Sequence, residues 1–203
     1  MYKYFFKRLL DFVLSLLAII VLSPVLLIIS FLIKVTSEGP VFFLQERVGL
    51  NQKVFKIIKF RTMIVNAEHI GDGLSVKEGT DPRITKIGKF LRKTSLDELP
   101  QLFNILKGDM AIIGPRPPVI YHPYKIGEYD EIKKHRFDVK PGLSGLAQAE
   151  VRNSATWDER IEYDVKYVQN VSFLQDVKII FKTINVVLCS KNIYATDQEN
   201  KDE

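Results

Sequence analysis

Cysteine is nearly absent from this chain: Cys189 stands alone among 203 residues. That excludes a disulfide framework within one molecule and a cysteine-rich zinc site. Histidine is scarce as well, and His69, His122 and His135 lack the H-x-x-x-H spacing of a zinc hydrolase. No glycine-rich P-loop, G-x-S-x-G elbow or G-x-G-x-x-G fingerprint occurs, which removes the common phosphate-binding loops and the serine hydrolases. Internal repeats and low-complexity stretches are also missing. What is present is a composition of 46% hydrophobic and 26% charged residues, enough for one domain with a core and too little for two. Neither disorder nor a fibrous repeat fits it. The formal net charge is +5, of which the stretch Asp197–Glu203, with four acids and one lysine, contributes −3. The remainder therefore sits near +8, a balance that points to partners carrying phosphate groups.

The sharpest asymmetry lies near the N-terminus. From Phe12 to Ile33 there are 22 consecutive uncharged residues, nearly all apolar, between Asp11 and Lys34. A continuous helix of that length measures about 33 Å, enough to cross a hydrocarbon core of roughly 30 Å. The run is too long for a signal-peptide core, and no small-residue cleavage site follows it. Two features oppose a simple spanning anchor. Ser23-Pro24 falls at the midpoint, where proline removes the N–H that would bond the Ile20 carbonyl. Each half is then only about 15 Å long, and the Ser23 hydroxyl stands where it could satisfy the freed carbonyl. Cationic residues also flank both sides: Lys3, Lys7 and Arg8 before, Lys34, Arg47, Lys53, Lys56 and Lys59 after. That pattern suits a hairpin entering and leaving by the cytoplasmic face. Hydropathy and charge leave the spanning helix and the hairpin both open.

Downstream, Val41–Leu44 and Val54–Phe60 read as short strands or interfacial segments. Gly71-Asp72-Gly73 through Gly79-Thr80-Asp81-Pro82 reads as a loop. Ile84, Ile87 and Leu91 share a helical face, and Pro82 to Leu96 holds five basic residues and no acid. Such a face is either solvated or rests on anionic headgroups or a phosphorylated substrate. Leu99, Leu102, Phe103 and Leu106 predict a helix from Ser95 to a Gly108 stop, with Pro100 in its first turn. Two further helices are predicted, one through Trp157, Ile161, Val165 and Val168, the other through Phe173 to Leu188 behind a Ser172-x-x-Gln175 capping box. The tail after Asn192 is polar and predicted to fray.

The chemistry concentrates around Thr94-Ser95-Leu96-Asp97-Glu98-Leu99-Pro100-Gln101. Acids at a helix start ordinarily serve as caps. Here they follow a cationic stretch and precede Gly114-Pro115-Arg116-Pro117-Pro118. An arginine framed by prolines can be presented to a phosphate with little ordering cost. Adjacent carboxylates can also hold magnesium, which favours one or two carboxylates plus phosphate oxygens. Together these suggest a phosphoryl-transfer centre.

At this point the order of motifs becomes informative. Asp81-Pro82-Arg83-Ile84-Thr85, Gly88-Lys89-Phe90-Leu91-Arg92, Ser95–Gln101, Asn104–Met110 and Gly114–Pro117 succeed one another as in the bacterial sugar transferases, the monotopic phosphoglycosyl transferases. Lys59-Phe60-Arg61-Thr62-Met63 resembles that family's K-F-[RK]-T-M, and Lys140-Pro141-Gly142-Leu143-Ser144-Gly145 with Gln148 resembles its K-P-G-x-[TS]-G-x-x-Q. The resemblance runs from Lys7-Arg8 to about Thr183 and looks like the minimal catalytic form, without the extra transmembrane helices of larger relatives. The chain departs from the pattern at Glu150-Val151-Arg152-Asn153, where a small residue more often precedes the arginine, and at Ala111, where serine is common.

The resemblance implies transfer of a sugar-1-phosphate from a nucleoside diphosphate sugar, with uridine and an N-acetylated sugar as family expectations. The acceptor would be polyprenyl (undecaprenyl) phosphate and the cofactor magnesium. It implies Asp97 as nucleophile, Glu98 as its partner, both as metal ligands, and Arg116, Lys59, Thr62 and Arg92 on phosphate. It also tips the membrane segment towards a re-entrant helix broken at Ser23 and Pro24, on the cytoplasmic face of the bacterial inner membrane. The expected fold is mostly α with a few short strands: a re-entrant hairpin over residues 1–35, a compact cytoplasmic domain with interfacial amphipathic helices over 36–196, and a polar tail over 197–203. A membrane-tethered basic adaptor for anionic lipid or nucleic acid is the competing reading. It explains the charge but gives Asp97-Glu98 no role, so nucleic acid is not an expected partner. A single long apolar segment argues against a multi-spanning transferase.

Overall fold

The computed structural model describes residues 2–67, 70, 81–151 and 155–188, the side chains of 187 and 188 excepted. Outside the described residues lie His69, most of the predicted loop (71–80), Arg152-Asn153 and everything from Cys189 onward, including the 197–203 tail.

The apolar N-terminal run, preceded by a π-helical turn at Tyr2–Phe6, forms one helix, α1 (Lys7–Thr36). Pro24 sits inside it, and helical backbone runs without a gap through Ser23-Pro24, where the break is expected. Part of the physical reason is local. The carbonyl of Ile20, orphaned by the missing proline N–H, accepts the Ser23 hydroxyl at 2.8 Å. The rest is tertiary. The buried residues of α1 are Lys7, Asp11, Ser15, Leu26, Ile29 and Ile33, and Ala18, Ile19 and Leu22 pack inward between them. Steps of three and four keep these on one face, so α1 rests on the body along a stripe of about 39 Å.

The first part of that stripe is polar and fully engaged. Lys7 bonds Asp176 at 2.7 Å, and the Asp11 carboxylate accepts the Ile112 N–H at 3.0 Å. Arg8 donates to the carbonyls of Ile105 and Leu106 at 2.6 and 3.0 Å. The outward face is apolar and bare, with Leu17, Ile20, Val21, Leu27, Ile28 and Phe31 all exposed.

The body carries two small sheets. β1 (Phe42–Val48) and β2 (Val54–Phe60) pair antiparallel, with Phe42 opposite Phe60 and Val48 opposite Val54. Both strands were expected, the first extending four residues beyond the Val41–Leu44 prediction. β3 (Ala111–Ile113) and β4 (Gly142–Ser144) pair in parallel, a pairing that three-residue runs do not announce in sequence. Around them stand α2 (Lys86–Thr94), α3 (Gln101–Lys107), α4 (Glu131–Lys134), α5 (Leu146–Glu150), α6 (Trp157–Gln169) and α7 (Phe173–Leu188). The α6 and α7 predictions hold. The capping box ahead of α7 forms only in half: Ser172 accepts the Gln175 N–H at 3.3 Å, while the Gln175 carbonyl oxygen stays unpaired. A complete box, Thr156 with Glu159, opens α6 instead.

The predicted helix from Ser95 to Gly108 is also corrected. Ser95 adopts a left-handed conformation, φ 57° and ψ 16°, and caps α2. Leu96–Glu98 then makes a single 3-10 turn, and α3 starts only at Gln101, behind Pro100. Asn104 on α3 ties this region to β2, its amide accepting from the Ile58 N–H at 2.9 Å and donating to the Lys56 carbonyl at 2.8 Å. Replacing Asn104 by alanine leaves two strand groups unpaired beside β2. The expected cost is about 2–4 kcal/mol, read as a lowered denaturation midpoint of the detergent-solubilised protein. An unchanged midpoint would mean that water substitutes for the amide.

Candidate active site

The left-handed Ser95 decides where the acids go. A non-glycine residue there costs roughly 1 kcal/mol, and the return is a tight reversal that sets Asp97 and Glu98 in their own 3-10 turn, ahead of α3. They are therefore not caps of α3. Leu96 and Leu99, on either side of them, pack into the cluster of Leu26, Ile29, Ile33, Phe60 and Leu91. The acid pair thus flanks the apolar cluster that α1 helps to build.

The two acids have opposite surroundings. Glu98 Oε1 accepts Lys59 Nζ at 2.7 Å, and Arg116 approaches the same oxygen at 3.4 and 3.5 Å. Burial alone would raise its pKa, but the two cations outweigh burial and hold it well below the usual carboxylate range. Asp97 makes no ion pair among the described residues. Burial and the neighbouring Glu98 charge raise it to about 6, against the opposing pull of Lys59 and Arg92. Lys59 is itself lowered by burial, with Arg116 and Arg47 adding to that against Glu98 and Asp97.

Every residue assigned from sequence to phosphate lies in this neighbourhood. Lys59 comes from the end of β2, Thr62 from the chain just beyond it, and Arg92 from α2. Arg92 Nε donates to Thr62 Oγ1 at 2.9 Å. Close packing makes that contact possible: a Cβ on Gly88 would lie 2.0 Å from the Thr62 carbonyl oxygen. Arg116, 42% exposed in its side chain, reaches in from the loop after β3. Ser23 and Pro24 belong to the interior of α1 and are not part of this cluster. Arg47 is the residue sequence reasoning missed, its charge felt at Lys59 although it lies on β1.

Four cations therefore surround two carboxylates, and such a surplus suits a ligand with two phosphates. Among the described residues no group of three or more histidine, cysteine or acidic side chains could hold a metal. A cage built wholly from protein is thus excluded there. A magnesium ion sharing Asp97 with phosphate oxygens fits, because that ion keeps few protein ligands. The second oxygen of Glu98 could assist, since Oε1 is already engaged.

Glu98→Gln tests this electrostatic arrangement. Removing the neighbouring charge should move the Asp97 titration below about 6, followed by carboxyl carbon NMR across pH. An unmoved midpoint would assign the shift to burial alone.

A family model described as bacterial sugar transferase matches residues 2–190. Among curated relatives, a UDP-glucose:undecaprenyl-phosphate glucose-1-phosphate transferase of Klebsiella pneumoniae is 43% identical, over 93% of this chain and 41% of its own length. A UDP-N-acetylgalactosamine-undecaprenyl-phosphate N-acetylgalactosaminephosphotransferase of Aeromonas hydrophila is 42% identical, over 91% and 44%. The exopolysaccharide production protein ExoY of Sinorhizobium fredii is 39% identical, over 93% and 88%. The chain spans less than half the length of the first two of these relatives.

Proposed function

The chain belongs to the bacterial sugar transferase family, and on that premise we propose that it transfers a sugar-1-phosphate from a UDP-sugar to undecaprenyl phosphate. The products are UMP and an undecaprenyl-diphosphate sugar, an opening membrane step of glycoconjugate assembly. The observation that carries this reading is the unequal acid pair flanking the α1 cluster: Glu98 locked by Lys59 and Arg116, Asp97 without an ion partner among the described residues. A basic adaptor gives that arrangement nothing to do. Names among the relatives span glucose and N-acetylgalactosamine, so the proposal commits to a UDP-sugar and not to an N-acetyl group.

The chemistry proceeds in two displacements. A carboxylate oxygen of Asp97 bonds to the β-phosphorus as that phosphorus loses its bridging oxygen, and UMP leaves with the electron pair. An oxygen of undecaprenyl phosphate then bonds to the same phosphorus, and the Asp97–phosphorus bond breaks. Arg116, Arg92 and Lys59 neutralise charge on the phosphoryl oxygens, while Glu98 holds Lys59 and Arg116 in place. Thr62 orients Arg92. Magnesium, held by Asp97 with a contribution from Glu98, would supply further charge neutralisation on the diphosphate.

The membrane placement we propose is monotopic, on the cytoplasmic face, with α1 entering and leaving by one side. Support comes from the two ends of α1. Lys7 and Asp11 near one end and Ile29 and Ile33 near the other are buried against the same body. A helix crossing the bilayer could not keep both ends on a body that lies to one side. On α2, Phe90 is 55% exposed between Lys89 and Lys93, which suits a helix resting at the headgroups.

Two measurements test the proposal. Enzyme with magnesium and donor but no lipid should release about one equivalent of UMP and carry a phosphosugar on the peptide containing Ser95–Gln101 by mass spectrometry. Asp97→Asn should fold yet form no adduct. Full turnover by that variant, or an adduct elsewhere, would end the nucleophile assignment. For placement, single cysteines near Lys3 and near Ser37, with Cys189 replaced, should both resist an impermeant thiol reagent in intact cells. Labelling at Lys3 alone would restore the spanning helix.

A further inference from the structure

The loop that carries Arg116 is unusual in what it lacks. Pro115, Pro117 and Pro118 have no N–H, so Gly114–Pro118 cannot be fixed by an ordinary hydrogen-bond ladder. It is fixed through its carbonyls instead, and each of the four from Pro115 to Pro118 has a donor. Pro115 accepts the Gly142 N–H at 2.9 Å and Pro118 the Val48 N–H at 3.0 Å. Pro117 accepts Arg47 Nη1 at 3.0 Å. The carbonyl of Arg116 itself accepts Arg136 Nη2 at 2.8 Å.

Arg136 is an odd residue to find there. It belongs to the 3-10 turn His135–Phe137, and its side chain is 1% exposed. The same Nη2 that bonds the Arg116 carbonyl also bonds Asp164 Oδ2 on α6 at 2.7 Å. Asp164 is 2% exposed, and among the described residues its other oxygen has no hydrogen-bond partner, nor do Arg136 Nε and Nη1. A buried ion pair meeting through one nitrogen and one oxygen is a poor source of stability, since well-packed apolar residues commonly do as well. Its geometry has one evident product: the two hydrogens of Nη2 are aimed, one at Asp164 and one at the backbone of Arg116.

We propose that Arg136, oriented by Asp164, is a positioning residue for Arg116 and sets the donor's diphosphate affinity from behind the site. This rests on the reading of Arg116 as a phosphate ligand given above. Arg136 does not touch substrate. Its single hydrogen bond fixes the Arg116 carbonyl, the prolines on either side transmit that constraint, and the guanidinium is thereby held beside Glu98.

The test is a set of variants of the full chain in detergent, titrated calorimetrically with uridine diphosphate and magnesium. Arg136→Met with Asp164→Leu removes the buried pair at nearly constant shape, so the melting temperature should stay near the parent's. Affinity should fall about tenfold to a hundredfold, as for one charge-assisted hydrogen bond. Arg116→Lys should fall by a similar factor, and adding the Arg136/Asp164 pair to Arg116→Lys should lose little more. Arg136→Lys keeps the charge facing Asp164 but reaches less far; it should be partly impaired, and it carries the same test if the double variant does not fold. Factors that simply multiply would mean Arg136 acts as a general stabiliser and would overturn the proposal, as would parent-like affinity in the double variant. Parent-like affinity in Arg116→Lys would instead overturn the phosphate role on which the inference rests.

Discussion

Two carboxylates adjacent in sequence, both removed from bulk water, cannot both be ionised cheaply unless something takes up the charge of one of them. Lys59 and Arg116 do this for Glu98, and most of the active-site architecture follows from that choice. With Glu98 satisfied, the cost of burial falls on Asp97, whose pKa is raised and which makes no ion pair among the described residues. A carboxylate in that condition is both more basic and less encumbered than its neighbour. The same contact also aligns Lys59 and Arg116 in advance, so in the proposed reaction the cations would need little reorganisation as charge develops.

Holding this arrangement requires contributions from distant parts of the chain. Lys59 is 39 residues from Glu98 in sequence, and Arg116 is 18 away. Asn104 anchors β2 to α3 and so fixes Lys59; the closed backbone contact at Gly88 sets α2, and with it Arg92, against Thr62. The Arg116 loop is secured by groups behind it. Local packing and remote backbone bonds therefore converge on one carboxylate oxygen.

Much of the chain was readable from pattern. β2, α6 and α7 lie where β-branched alternation and three-to-four spacing put them, and Ser23 does bond the carbonyl freed by Pro24. The failures share a cause. Ser95 carries no signal for a left-handed conformation, so apolar spacing from Leu99 to Leu106 read as one helix reaching back to Ser95. Nothing in a window of ten residues pairs Lys7 with Asp176 or Arg136 with Asp164, because those bonds close over 169 and 28 residues. Lys7 and Arg8 read as a cationic flank of the apolar run, yet both are engaged inside the fold, Lys7 on Asp176 and Arg8 on the last carbonyls of α3. The candidate site residues were legible as motifs, whereas their division of labour was not, since it depends on which cation reaches which oxygen.

In the proposed reaction, the engagement of Lys7 and Arg8 would bear on how a soluble donor and a lipid acceptor reach one centre. A charge buried against a partner 169 residues away cannot also stay at the opposite membrane surface. The first turn of α1 is thereby bound to the same body as its last, and what α1 exposes from Leu9 to Phe31 is apolar. Leu96 and Leu99 join the inner side of that helix to the turn bearing Asp97 and Glu98. On the placement proposed above, the depth of α1 in the lipid would set the height of the acid pair, through the apolar cluster that α1 shares with Leu96 and Leu99. A long-chain phosphate has its headgroup confined near the membrane surface by its own tail, so the proposed acceptor would not have to be lifted out of the bilayer. The protein would need only to hold Asp97 at the height of that headgroup.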